Sequence, residues 1–201
     1  MWIRRAGNCP LFLPAPPRPA TARAARLFAS RTIPIPLTEP GAIEAAMERA
    51  RALVQARDLD GAARACAEIL ALDPARADAW FMRGVIHAEC RDARQARAHL
   101  TRAFELQPSQ SPANHLVYAN VLLEAGELRA AEIEARKVFA ASPWLAPALG
   151  AHAHATLARV LIARGNFGEA VAILQAGLAR LPGDAALAHQ LAYARQRLAG
   201  A

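Results

Sequence analysis

From residue 41 onward the chain is punctuated by four prolines at nearly equal spacing, and that spacing constrains the fold more than any other feature. Leu-Asp-Pro ends at Pro74, Leu-Gln-Pro at Pro108 and Ala-Ser-Pro at Pro143, and Leu-Pro-Gly carries Pro182. A second marker, the alanines Ala62, Ala96, Ala131 and Ala170, steps along the chain in the same register. Between the markers the breaks also align: Arg57-Asp58-Leu59, Arg91-Asp92-Ala93, Gly126-Glu127-Leu128 and Gly165-Asn166-Phe167. Two markers that keep register through unequal steps define a repeat. A unit of this length cannot bury its own apolar face and must stack on its neighbours.

The second segment is the most complete. Trp80, Gly84, Ala96, Ala103 and Pro108 stand where the tetratricopeptide repeat places its tryptophan, glycine, two alanines and closing proline. Over about residues 43 to 184 the chain resembles that family. The resemblance implies an all-α, right-handed superhelical solenoid of antiparallel helix pairs, with repeats at about 43–76, 77–110, 112–145 and 147–183 and a capping helix at 184–199. The physics agrees with the pattern, because small residues such as Gly84 and Ala96 let paired helices touch and proline ends each second helix.

Departures from the pattern carry information too. Ala46 and Ala50 replace a bulky residue and the glycine in the first segment, so the first repeat is expected to be weak and the second to anchor the array. His115 replaces the tryptophan of the third. About five extra residues, within Trp144 to Gly150, precede the fourth, and Pro147 is placed to open a lengthened helix. Asp184 is a candidate N-cap for the last helix, with Leu187, Leu191, Ala194 and Leu198 on its packed face and Gln190, Arg195 and Arg197 outside.

Net charge is +7, a value that suggests nucleic acid until it is divided along the chain. Residues 1–38 hold six arginines and no acid, which leaves the repeats near neutral and disfavours nucleic acid as a partner. Eight prolines within residues 1–40 deny helices their hydrogen bonds, so this basic Pro/Ala/Arg-rich segment is expected to be disordered. Its composition also resembles an organelle presequence, although a G+C-rich bacterial genome yields the same bias, and a cytoplasmic location is the expectation. Three cysteines without regular spacing indicate neither a disulfide framework nor a zinc site. The apolar stretches are too short to span a bilayer.

No GxxxxGK, GxGxxG, HExxH or GxSxG motif occurs, and no enzymatic activity is expected. His152 and His154 are the closest histidine pair, but on a helix they diverge by about 200° and cannot share a metal from that helix alone. His87, His99, His115 and His189 are expected to be structural or solvated. Neither a metal nor a cofactor is expected.

In the family the first helix of each repeat lines the concave face. That resemblance implies a partner-binding groove formed by Met47, Arg51, Phe81, Met82, Leu116, Val117, Asn120 and Arg159. Phe81, Met82, Leu116 and Val117 would form a central apolar stripe, Asn120 would hold a peptide amide, and Arg51 and Arg159 would frame the ends. Relatives that clamp acidic chaperone tails use lysines and asparagines at positions held here by Met47, Arg51, Met82, Ala113 and Val117, which disfavours that ligand. The expected function is a non-catalytic scaffold or adaptor that holds a protein or peptide in an apolar groove. Two alternatives remain open: the repeat portion of a larger or truncated enzyme of sulfotransferase or glycosyltransferase type, and a repeat protein that self-associates into homo-oligomers.

Overall fold

A computed structural model describes residues 41–141 and 147–200. The expectations for residues 1–40, and for 142–146 within the insertion, lie outside the described residues. The described residues form nine helices and no strand: α1 Ala42–Gln55, α2 Leu59–Leu72, α3 Ala77–Glu89, α4 Ala93–Leu106, α5 Pro112–Glu124, α6 Leu128–Ala141, α7 Pro147–Ala163, α8 Phe167–Arg180 and α9 Ala185–Ala199. The chain is an all-α helical repeat solenoid.

One turn is used four times. Each first helix ends with a residue at positive φ, namely Arg57 (62°), Arg91 (62°), Gly126 (80°) and Gly165 (80°). The N–H of that residue bonds back three residues, and the next N–H bonds back five, as in Asp58 N to Leu53 O and Asn166 N to Leu161 O. This is the Schellman closure, which satisfies the helix's last carbonyls and reverses the chain. The residue after it then starts the second helix: the carboxylates of Asp58 and Asp92 accept from the N–H groups of Gly61 and Gln95. Ser111 and Asp184 cap α5 and α9 in the same way.

Each first helix packs along its own second helix, and each second helix packs against the next first helix. First helices also touch one another, in the pairs α1–α3, α5–α7 and α7–α9, whereas no comparable contact joins consecutive second helices. The layer whose members meet is the inside of a curve. Helices α1, α3, α5, α7 and α9 therefore form the inner face. Only α3 and α5 lack a comparable contact within that layer, so the inner face is parted there.

The core runs through the array as linked clusters. Met47, Ile69, Leu70 and Ala79 fill the first interface. Ala96, Leu100 and Val121 fill the join between the second and third repeats. The largest cluster gathers Leu157, Leu161, Leu174, Leu187 and Leu191 from α7, α8 and α9. The pair matching the repeat pattern best is thus not the one with the largest core. On α9, Leu187, Leu191 and Ala194 are buried as expected, but Leu198 is 48% exposed and Gln190 is half-buried rather than outside. Gln190 is drawn in because α9 packs on α7 as well as α8, continuing the inner layer, whereas Leu198 stands in the last turn of α9.

Candidate functional site: the inner face

Where α3 and α5 part, a cleft of about 460 Å³ opens, lined by Arg57, Ala88, Glu89, Arg91, Val117, Asn120, Val121 and Glu124. Its rim is made of ion pairs that step across repeats. Arg57, at the first turn, pairs with Glu89 at the end of α3, and Arg91, at the second turn, lies 3.4 Å from Glu124 at the end of α5. The left-handed turn aims each arginine at the following repeat. Exposed pairs of this kind contribute little stability, about 0–1 kcal/mol each, but they neutralise the rim.

A second groove of about 590 Å³ lies farther along the same face, between α5, α7 and α9. Leu123, Ile162, Ala163 and Tyr193 supply apolar wall, and Arg159, Glu124, His189 and Gln190 supply polar groups. Glu124 lines both cavities. Between them Arg159 Nη1 donates to Asn120 Oδ1 at 3.0 Å, Thr156 Oγ1 donates to the same oxygen at 3.4 Å, and Asn120 Nδ2 donates to Leu116 O. Asn120 is therefore engaged within the chain at both ends of its amide, with one of its two Nδ2 hydrogens used.

The residues expected to form the groove are distributed over core and surface. Met47 is 2% exposed among Ile69, Leu70 and Ala79, and Leu116 is 5% exposed beside Val138 and Ala153, so both belong to the core. Leu116 and Val117 are neighbours about 100° apart on one helix, and only Val117 faces the cleft. Met82 is half-buried toward the first repeat, and Phe81 is half-buried against Ala96 and Leu100, so the apolar stripe is not one continuous surface. Arg51 is exposed and pairs with Glu48 on its own helix. Val117, Asn120 and Arg159 line the two cavities. Sequence reasoning missed Arg57, Arg91 and Tyr193. The recurrence of Arg57 and Arg91 one repeat apart, with Glu89 and Glu124 following in step, was the signal for the first two.

Elsewhere titratable groups are drawn into packing. Burial raises the Cys66 thiol to about 11, which keeps it protonated and unreactive at neutral pH. His87 and His99 stack at 4.9 Å between α3 and α4, and Trp80 lies against His99. Burial lowers the His99 imidazole to about 4, with Arg83 and His87 adding to the shift. His115, in the third repeat's tryptophan position, packs edge-on to Phe104 and meets Glu134 at 2.7 Å. Among the described residues no cluster of three His, Cys, Asp or Glu side chains could hold a metal, and no helix is long and apolar enough to cross a membrane.

Comparison with known proteins follows from this geometry. Tetratricopeptide repeat models match residues 77–110 and 151–194. No curated protein matches the chain significantly. Among solved structures, a MamA protein aligns with a TM-score of 0.68 at 18% identity over 78% of this chain and 82% of that one. YrrB, described as a TPR protein with an unusual peptide-binding site, aligns with a TM-score of 0.65 at 16% identity over 86% of this chain and 80% of its own. The Thermobaculum terrenum O-GlcNAc transferase aligns with a TM-score of 0.56 at 23% identity, over 69% of this chain but 26% of the transferase. These likenesses establish the fold. Matched by sequence across α3–α4 and from α7 into α9, and by backbone over most of its length, the chain belongs to the tetratricopeptide repeat family.

Proposed function

We propose that the chain is a non-catalytic scaffold that holds a segment of a partner protein along its inner face. The observation that carries this reading is the parting of α3 from α5, which leaves Val117, Val121 and Ala88 at the floor of a cleft whose rim charges are already paired. Such a surface offers apolar contact with little net charge, suited to an amphipathic helix or extended chain. YrrB's description as peptide-binding supports the class of ligand. The apolar contact expected of Phe81, Met82, Leu116 and Val117 narrows to Val117 with Ala88, both half-buried in the cleft lining, because Leu116 belongs to the core and Phe81 and Met82 line neither cavity.

The test is recovery of a partner from the native organism on immobilised protein, repeated with Val117→Glu and, as a more exposed position on the same face, Tyr193→Glu. Both should keep native helicity by circular dichroism and lose most of the bound partner. Full retention by both folded variants would remove the inner face from consideration.

A second reading, that the chain is the repeat portion of an enzyme, is favoured by the match to about a quarter of the O-GlcNAc transferase. Sequencing the gene's surroundings tests it, since an adjoining transferase-like reading frame is the expected result.

A further inference from the structure

The groove between α5, α7 and α9 is lined by an arginine that differs from those pairing across repeats. Arg57, Arg76, Arg91, Arg136 and Arg164 each meet a carboxylate about one repeat away. Arg159 instead meets an amide: its Nη1 donates to Asn120 Oδ1, and Asn120 is itself tied to Leu116 O. A guanidinium carries five N–H donors in a planar fork, so this bond orients Arg159 and leaves the others available. Glu124, the carboxylate sharing the groove, is drawn to Arg91 on its far side. The groove's uncompensated charge is therefore positive and centred on Arg159.

Its walls state the rest of the ligand. Leu123 and Ile162 with Tyr193, which is 43% exposed, present large apolar surface where a solvated face would carry polar residues. Gln190 lines the same groove and adds a polar group to its wall. Glu124 borders both this groove and the cleft between α3 and α5, so a bound chain that extends past Glu124 would reach the cleft.

We infer that this groove takes an extended segment of a partner protein in which an internal Asp or Glu stands two residues from a large apolar side chain. The carboxylate seats on Arg159 and the apolar group on Ile162 and Tyr193. Side chains two apart in an extended chain share a face, which sets that spacing. The inference rests on the inner-face reading above and adds the chemistry of its ligand.

The experiment is selection on the full chain from a random peptide library displayed with both peptide ends joined to a carrier, followed by fluorescence anisotropy with the enriched peptides, synthesised with both ends capped. Enriched peptides are expected to carry the acid and the apolar residue two apart. Glu→Gln in such a peptide, or Arg159→Ala in the protein, should weaken binding by about tenfold or more, and the two together by little beyond either alone. Arg159→Lys should restore part of the loss. Because Arg159 is exposed, its variants should keep the wild-type melting curve. Peptides lacking an acid, or indifferent to Arg159→Ala, would overturn the inference; if they still lost binding with Val117→Glu, the scaffold reading would stand without it. Failure to enrich any peptide would sink both.

Discussion

Gly84 of α3 and Leu100 of α4 meet at a separation that no side chain at residue 84 can share: a Cβ there would lie 2.5 Å from Leu100 Cγ. Leu100 is fully buried at that crossing and cannot swing aside without opening the core. Gly84→Ala is therefore expected to destabilise the chain by about 1–3 kcal/mol, although alanine is intrinsically the better helix former by about 1 kcal/mol. Urea unfolding followed by circular dichroism checks it. A more stable variant would mean that the helices can separate freely at this crossing.

The four turns make a paired expectation. Gly126 takes φ 80° without penalty, whereas Arg57 holds φ 62° at a cost of roughly 1–2 kcal/mol, partly offset by its exposed pair with Glu89. Arg57→Gly should leave stability unchanged or raise it by up to about 1 kcal/mol, and Gly126→Ala should lower it by about 1 kcal/mol. Loss of stability in Arg57→Gly would assign the rim ion pair more weight than exposed pairs ordinarily carry.

Acid should act through the second repeat. His99 holds its proton only below about 4 in the fold, against 6.5 for the unreacted side chain, so between these values the unfolded chain binds the proton and the folded chain does not. The stability present above about 6.5 is thus lost as pH falls toward about 4. His87 shifts the same way through burial, with Asp92 opposing and Arg83 reinforcing the shift. His99→Gln should flatten the decline in melting temperature between pH 7 and pH 4.5. An unchanged slope would place the acid sensitivity elsewhere.

The fold was legible because its information is periodic: prolines, alanines and turns recur at the repeat length, and register survives even where a signature residue such as His115 departs from the pattern. The inner face was less legible because it depends on how repeats are spaced. Adjacent residues such as Leu116 and Val117 divide between core and cleft according to whether a neighbouring first helix closes over them. The gap between α3 and α5 leaves no mark in either repeat alone. Leu116 and Met47 are apolar residues on first helices like Val117, yet the packing puts them inside. Tyr193 was hidden for a related reason, since it lies on a last helix that continues the inner layer.

The most direct measurement is photo-crosslinking of the recovered partner to protein carrying benzoylphenylalanine at one of two exposed sites. One is Glu124, which lines both inner-face cavities, and the other is Ile133 on α6 of the outer layer, 57% exposed. A crosslinked partner band is expected from residue 124 and none from residue 133. A band from residue 133, with none from residue 124, would contradict a partner held on the inner face.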